Sequence, residues 1–261
     1  MHTRFVYKES VTSTNEEARR LAEEGVPEGT VVLAEEQTAG KGRSGRSWYS
    51  PRGEGIWMSV VLRPSASPHL APLLSPIGAL SIARSIEDTL GIPAVLKWPN
   101  DVLVCGRKVS GVLAEAETES NRLRFVILGL GVNVNQTQFP PYLRELATSL
   151  RLAYGHRVVQ SDLVHTILDH LSDYYQRYEK GELEGIVHEV KAHMPWLGQQ
   201  VVISDGKHNV EVVAEDIDAH GCLVIRRVDG SVKRVVAGEM SLVVPLSEHR
   251  RSHVRFHADC R

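Results

Sequence analysis

At 261 residues, with 42% hydrophobic and 24% charged side chains, the chain is long enough for one large domain or two and has the composition of a globular protein, not a disordered one. Its formal charge of −2 excludes a general polyanion-binding surface, so any basic site is local. The three cysteines, Cys105, Cys222 and Cys260, are far apart, and their spacing suggests neither a metal site nor a disulfide framework, which fits a reducing cytosol. No apolar run has the length of a signal peptide core or a membrane span, so a cytoplasmic protein without a membrane partner is expected.

Along the chain, residues 5–7 read as a short strand. Thr14-Asn15-Glu16-Glu17 has capping-box spacing, with Glu17 three residues after Thr14. Ala18, Leu21 and Ala22 give the following helix an apolar stripe, and Gly25 ends it. Residues 31–36 form a strand entering a glycine-rich segment, and 56–62 an apolar strand leaving it. Pro76 in a first turn, followed by Ile77, Leu80, Ala83, Ile86 and Leu90, predicts a helix stopped by Gly91 and Pro93. Residues 95–98, 102–104, 109–116 and 125–134 supply further strands. Leu163, Val164, Ile167, Leu168, Leu171, Tyr174, Tyr175 and Tyr178 mark a long amphipathic helix ending near Gly181.

After Pro195 the pattern changes to short β runs at 201–204, 210–217, 223–228, 232–236 and 242–244. Asp205-Gly206, His220-Gly221 and Asp229-Gly230 separate them. A module of about fifty residues has a marginal core of its own, so it is expected to pack on the main domain. The expected division is 1–194, then 195–246, then a tail at 247–261 that lacks periodicity and reads as a solvated terminus.

Gly40-Lys41-Gly42-Arg43-Ser44-Gly45-Arg46-Ser47-Trp48 is the most unusual stretch. It combines three glycines, three cations and an indole in nine residues. Glycine lets backbone N–H groups approach an anion, arginine supplies planar donors that suit phosphate, and the indole can stack on a base or cover a pocket. The segment formally matches a dinucleotide fingerprint and is one residue from a P-loop. Both require a following helix, whereas Tyr49-Ser50-Pro51-Arg52-Gly53 reads as loop. A mobile phosphate-gripping loop is the favoured reading over a solvated basic loop.

Three further clusters stand out. In Lys97-Trp98-Pro99-Asn100-Asp101, an Asn-Asp pair set by proline either points polar groups into a cleft or simply turns the chain. Lys108, in Gly106-Arg107-Lys108-Val109-Ser110-Gly111, returns from a hairpin into an apolar strand; an inward lysine there needs a charge partner, and the alternative is a solvated turn lysine. Gly129-Leu130-Gly131-Val132-Asn133 places two glycines on one strand face, which marks close approach of a ligand or another backbone. Asn133 needs an amide partner there, and Gln37 is positioned to read a polar ligand edge.

Together these clusters resemble the biotin protein ligases. Ser13-Thr14-Asn15, Gln37 with the 40–48 segment, Lys97-Trp98-Pro99-Asn100-Asp101, Gly106-Arg107-Lys108 with Gly111, and Gly129-x-Gly131-x-Asn133 occur in that family's order. The resemblance covers roughly residues 5–246, and Gly238-Glu239-Met240-Ser241-Leu242 resembles the end of the family's C-terminal module. It implies an α+β fold: a mixed β-sheet flanked by helices, of class II synthetase-like type, followed by an SH3-like β-barrel. It also implies activation of biotin by ATP to biotinyl-5′-AMP, then transfer to one lysine of a biotin carboxyl carrier domain, with Mg²⁺ accompanying ATP.

On this resemblance Ser13, Thr14 and Gln37 bind the ureido ring, and Asn15, Gly40 and Lys41 belong to the same biotin-binding set. Gly111 and Gly131 leave room for the bicycle and tail. Arg43 and Arg46 grip phosphates, and Lys108 stabilises charge between the biotin carboxylate and the α-phosphate. Asn100 and Asn133 read adenine, Trp48 covers it, Lys97 joins the adenylate set, and Asp101 lies near the incoming lysine. Lys41 departs from the family pattern, which often has arginine there, and so loses a planar fork. A lipoate–protein ligase shares the architecture and ranks second. A biotin-sensing repressor is disfavoured, because only twelve residues precede Ser13, so no DNA partner is expected. A homodimer and the identity of the acceptor carboxylase are left open.

Overall fold

The structure is a computed structural model and describes residues 2–204, 208–236 and 238–242. The expected turn at Asp205-Gly206, the end of the last strand run at Val244 and the 247–261 tail lie outside these residues. In chain order the elements are β1 (Arg4–Val11), α1 (Thr14–Glu23), β2 (Thr30–Gln37), β3 (Gly55–Leu62), α2 (Leu74–Leu90), β4 (Val95–Lys97), β5 (Asp101–Val104), β6 (Arg107–Glu119) and β7 (Arg122–Asn133). Helices α3 (Leu150–Tyr154), α4 (Gln160–Glu179) and α5 (Leu183–Ala192) follow, then β8 (Gln200–Ser204), β9 (Asn209–Ile217), β10 (Leu223–Arg226), β11 (Val232–Val235) and β12 (Glu239–Leu242).

The first seven strands form one mixed sheet in the order β1-β2-β3-β7-β6-β5-β4. Only β1 and β2 pair in parallel, with α1 as their crossover. The sheet's centre is apolar on both faces, so β3 reads as the continuous run Gly-Ile-Trp-Met-Ser-Val-Val-Leu with every residue buried. Successive side chains point to opposite faces. Val32, Val61, Phe125 and Ile127 meet Ala18 and Ala22 of α1 on one face. Val31, Val60, Leu128 and Leu130 join the larger core on the other, which also holds buried residues of α2, α4 and α5. Helix α2 lies close against the sheet because Gly78 has no side chain: a Cβ there would come within 3.0 Å of Val112 and 3.1 Å of Leu130.

The C-terminal module is a five-stranded antiparallel sheet in the order β11-β10-β9-β8-β12, with no pairing between β11 and β12 among the described residues. Its apolar residues Val201, Val212, Leu223 and Ile225 belong to the main core cluster. Two indoles cross the joint. Trp98 Nε1 donates to Gly221 O at 3.1 Å, and Trp196 Nε1 donates to Leu96 O at 2.6 Å. Lys191 of α5 pairs with Asp216 of β9 at 2.7 Å.

The capping-box reading is corrected. Ser13 is the N-cap, with no side-chain cap bond, and Thr14 is the first helical residue. Thr14 is buried and its hydroxyl turns to Gln37 Oε1 and Ser59, because a desolvated hydroxyl takes partners from across the fold. Glu17 pairs instead with Lys8 at 2.8 Å and with Arg20 at 3.0 Å, and these cations lower its carboxyl to about 2. The β6–β7 hairpin extends beyond the expected strands to Glu119 and Arg122, turning through Ser120 (φ 49°) and Asn121 (φ 62°). Lys108 is part of β6; Cys105 (φ 50°) and Gly106 (φ 73°) make the turn before it.

Candidate active site

A cavity of about 610 Å³ opens between the N-terminus of α1, the strands β3, β6 and β7, the 40–48 loop and the segment 139–147. Every sequence-predicted site residue except Gly40 lines it. Gly40 instead forms the neck of the loop. Its carbonyl accepts from Trp48 N at 2.8 Å, and a Cβ would lie 2.6 Å from Trp48 O and 2.8 Å from Ser50 Oγ.

One end of the cavity is buried, and Thr14, Asn15 and Gln37 there are hydrogen-bonded within the protein. Ser13, Thr14 and Asn15 are each under 5% exposed. Gln37 Oε1 accepts from Thr14 N at 2.9 Å and stands 3.1 Å from Thr14 Oγ1, while Gln37 Nε2 donates to Ser50 Oγ at 2.8 Å. Asn15 Nδ2 donates to Glu115 Oε2 at 2.7 Å. Ser59, fully buried on β3, stands 2.6 Å from Asn15 Oδ1 and 2.7 Å from Thr14 Oγ1. Sequence reasoning missed Ser59. The signal was there: it is the one hydroxyl inside an otherwise apolar, fully buried strand.

At the centre, Lys108 Nζ pairs with Asp101 Oδ1 at 2.6 Å, and the Lys108 ammonium lies 5.2 Å from the Trp48 ring centroid. The expected charge partner of the inward lysine is thus Asp101, its neighbour across β5–β6. The strand glycines receive the protein's own side chains here. A Cβ on Gly131 would lie 2.5 Å from Trp48 Nε1, one on Gly111 would lie 3.1 Å from the same indole, and one on Gly129 would lie 2.1 Å from Asn15 Oδ1. Trp48 Nε1 is buried and has no acceptor among the described residues. A desolvated donor in that position suits an acceptor carried by a ligand.

The 40–48 loop folds back on itself. Lys41 bridges to Ser47, Gly42 N donates to Arg46 O at 2.7 Å, and Ser44 adopts a left-handed conformation (φ 55°). Lys41 Nζ pairs with Glu16 of α1 at 2.5 Å, and this contact lowers the Glu16 carboxyl pKa and raises that of the lysine. Arg43 Nη1 donates to Asn100 Oδ1 at 3.4 Å.

At the far end Asn100 Nδ2 donates to Val112 O at 2.5 Å. Asn133 donates to Thr148 O at 3.1 Å and accepts from Gln136 Nε2 at 3.0 Å, so its amide is engaged within the protein at both ends. The segment carrying Phe139, Tyr142, Leu143 and Leu146 lines this end and was not foreseen. It braces Lys108 through Lys108 N to Leu146 O (3.0 Å) and Thr148 N to Lys108 O (2.9 Å). Among the described residues no group of three or more His, Cys, Asp or Glu side chains is placed to hold a metal ion. No helix among them is long and apolar enough to cross a membrane.

Residues 7–133 match the Biotin/lipoate A/B protein ligase family, and residues 196–243 match the Biotin protein ligase C terminal domain. The chain belongs to the biotin protein ligase family. It is 31% identical to the biotin--[acetyl-CoA-carboxylase] ligase of Paracoccus denitrificans over 219 residues, covering 82% of this chain and 90% of that protein. It is 40% identical to the bifunctional ligase/repressor BirA of Bacillus subtilis over 180 residues, covering 68% of this chain and 55% of that protein; the chain thus spans about half the length of this relative. The structure of the biotin protein ligase from Aquifex aeolicus in complex with biotin and ATP superposes with a TM-score of 0.79 at 30% identity, covering 92% of this chain and 98% of that one.

Proposed function

We propose that this chain is an ATP-dependent biotin–protein ligase: it joins biotin to the adenylyl group of ATP, releasing pyrophosphate, and passes the biotinyl group to a lysine of a biotin carboxyl carrier domain, releasing AMP. The observation that carries the reading is the Lys108–Asp101 pair beneath Trp48, between a buried hydrogen-bonding end and a loop of cations. Two anions, a carboxylate and a triphosphate, must meet in this reaction. An ammonium aimed at their meeting point stabilises the charge that develops as the carboxylate oxygen attacks the α-phosphorus. Thr14, Gln37 and Ser13 take the ureido ring, with Asn15 and Gly40 holding their surroundings, and Lys41 ties the loop to α1. Arg43 and Arg46 meet phosphates, Trp48 closes over the adenylate, and Asn100, Asn133 and Lys97 border the adenine.

Asp101 holds Lys108 and then faces the acceptor lysine. Excluding water under the indole protects the mixed anhydride. Mg²⁺ would accompany ATP, held mainly by phosphates and water. Residues 1–194 form the catalytic domain in this reading and 195–246 the C-terminal module; the location is cytoplasmic. Incubation with ATP, Mg²⁺, biotin and a biotin carrier domain, beside lipoate and a lipoyl domain, tests it by mass. A gain of one biotinyl group on the biotin carrier alone is expected; a gain on the lipoyl domain alone overturns the assignment.

A further inference from the structure

Thr14 and Gln37, two of the polar groups at the buried end of the cavity, belong to a hydrogen-bonded chain. The proton directions in that chain follow from one fixed point. The fixed point is the Glu115 carboxylate, which only accepts. Asn15 Nδ2 donates to it at 2.7 Å and lies 3.4 Å from Leu113 O, a second acceptor, so the amide is held with Oδ1 turned toward Ser59. Ser59 Oγ lies 2.6 Å from Asn15 Oδ1 and 2.7 Å from Thr14 Oγ1, and one hydroxyl hydrogen cannot serve both.

Asn15 Oδ1 has no hydrogen to offer. If Ser59 donated to Thr14 instead, two acceptors would face each other at 2.6 Å in a site where Ser59 is fully buried, an unpaired arrangement that is costly. Ser59 therefore donates to Asn15 and takes its hydrogen bond from Thr14. The other neighbour of Thr14 Oγ1, Gln37 Oε1 at 3.1 Å, is also an acceptor. That oxygen already receives Thr14 N–H, so Ser59, nearer at 2.7 Å, is what draws the Thr14 hydrogen into the protein and leaves its oxygen only lone pairs to give a ligand. Gln37 is fixed in the opposite sense. Its Oε1 receives Thr14 N–H at 2.9 Å, and Nε2 gives one hydrogen to Ser50 Oγ at 2.8 Å. Ser50 passes its own to Trp48 O at 3.2 Å, which leaves the second Nε2 hydrogen for the cavity.

We propose that Ser59, with Asn15 and Glu115 behind it, is a specificity-determining positioning residue: it makes the buried end of the cavity one acceptor beside one donor, complementary to a ring that carries an N–H next to a C=O. This rests on the biotin-ligase reading, in which the ligand is a cyclic urea; the dithiolane of lipoate carries neither group.

The test is calorimetric titration of the full chain, without ATP, with biotin and with its two cyclic carbamate analogues, each having one ureido N–H replaced by oxygen. The unmodified protein is expected to bind one analogue about a hundredfold or more weaker than biotin, since a site built for a donor rejects its absence strongly. Ser59→Ala is expected to bind biotin about tenfold weaker. It is also expected to narrow the difference between biotin and that analogue to about tenfold or less, because the freed Thr14 hydroxyl turns its hydrogen to the analogue's oxygen. Ser59→Cys, with similar volume and a weak donor, falls between and serves if the alanine variant does not fold.

A purely structural role would weaken biotin and analogue by one common factor, and that result overturns the proposal, as does unchanged discrimination. A protein that biotinylates a carrier domain but shows either result loses the Ser59 inference alone. A protein that binds lipoate and not biotin loses the function and the inference together.

Discussion

The two ends of the cavity are built in opposite ways. At the α1 end, Ser13, Thr14 and Asn15 are buried, and Thr14 and Asn15 are hydrogen-bonded through Ser59 to Gln37 and Glu115. At the loop end, Lys41, Ser44, Gly45, Arg46 and Ser47 are exposed, two of these residues have positive φ, and the tie to α1 is a surface ion pair. In the proposed reaction the rigid ureido ring would meet groups already fixed by the fold, and the flexible polyphosphate is expected to meet donors that become ordered as it binds. Fixing a nine-residue loop costs on the order of ten kcal/mol of backbone entropy. Charge-assisted hydrogen bonds return about 1.5–3 kcal/mol each, and only with an anion present.

Lys108→Ala breaks the comparison at its midpoint and carries the largest expected effect. Removing one donor aimed at a developing charge commonly costs about 10²–10³ in rate, so biotin-dependent pyrophosphate release should fall by that factor while thermal unfolding stays near that of the parent. Normal release would show that Lys108 serves only Asp101.

The loop itself comes next. Trypsin cleaves after Lys41, Arg43 and Arg46, and biotin plus ATP should slow cutting at these sites about tenfold or more while leaving cleavage elsewhere unchanged. Equal cutting in both states would mean that the loop is not ordered by ligand.

Gly131→Ala separates the two ends. Its Cβ would sit 2.5 Å from Trp48 Nε1 and 2.7 Å from Trp48 Cε2, so the indole must shift. Overpacking of this kind costs about 1–3 kcal/mol, so ATP KM should rise roughly tenfold, while biotin affinity by calorimetry should fall by a smaller factor, because the same glycine borders the bicycle and tail. A matching loss of biotin affinity would show that the ends are coupled.

Lys41→Ala gives the smallest change. An exposed pair contributes about 0.2–1 kcal/mol, so less than a fivefold change in ATP KM is expected, with a modest rise in trypsin sensitivity at Arg43. Because the lysine lowers the Glu16 pKa, the pair is intact above the ordinary carboxyl value of 4.5 and is lost as pH falls through the lowered value. The loop of the parent protein should therefore become more protease-sensitive only in acid. Loosening above pH 4.5 would exclude Glu16 as its anchor.

Much of this site is legible in the sequence because its unusual residues break local rules. Glycines inside strands, an asparagine in an apolar run and an inward lysine each conflict with their surroundings, and each lies at the cavity. The long helix α4 and the strands of the central sheet followed from periodicity. What escaped has a physical reason in each case. Ser59 sits in a run whose apolar neighbours mask it, and its partners lie 44 and 45 residues away. Helix α3 has five residues, too few to show a period. The 139–147 segment carries proline and polar residues that read as plain loop, and only the fold brings it under Lys108. Trp98 read as part of a local cluster and Trp196 drew no reading, yet each indole donates to a carbonyl 100 or more residues distant, a relation that no local pattern encodes.

The placement of the tryptophans has a consequence for spectroscopy. Trp57, Trp98 and Trp196 are all under 5% exposed, and each Nε1 donates to a backbone carbonyl, at Pro51, Gly221 and Leu96 respectively. Trp48 alone among the four rides on the loop and lacks an acceptor among the described residues. Indole emission responds to polarity and hydrogen bonding. The chain therefore carries its own optical label: three fixed emitters supply a constant background, and the fourth changes colour or intensity when the loop engages a ligand. Stopped-flow fluorescence of the unmodified protein then times the loop's movement directly, with Trp48→Phe as the dark control.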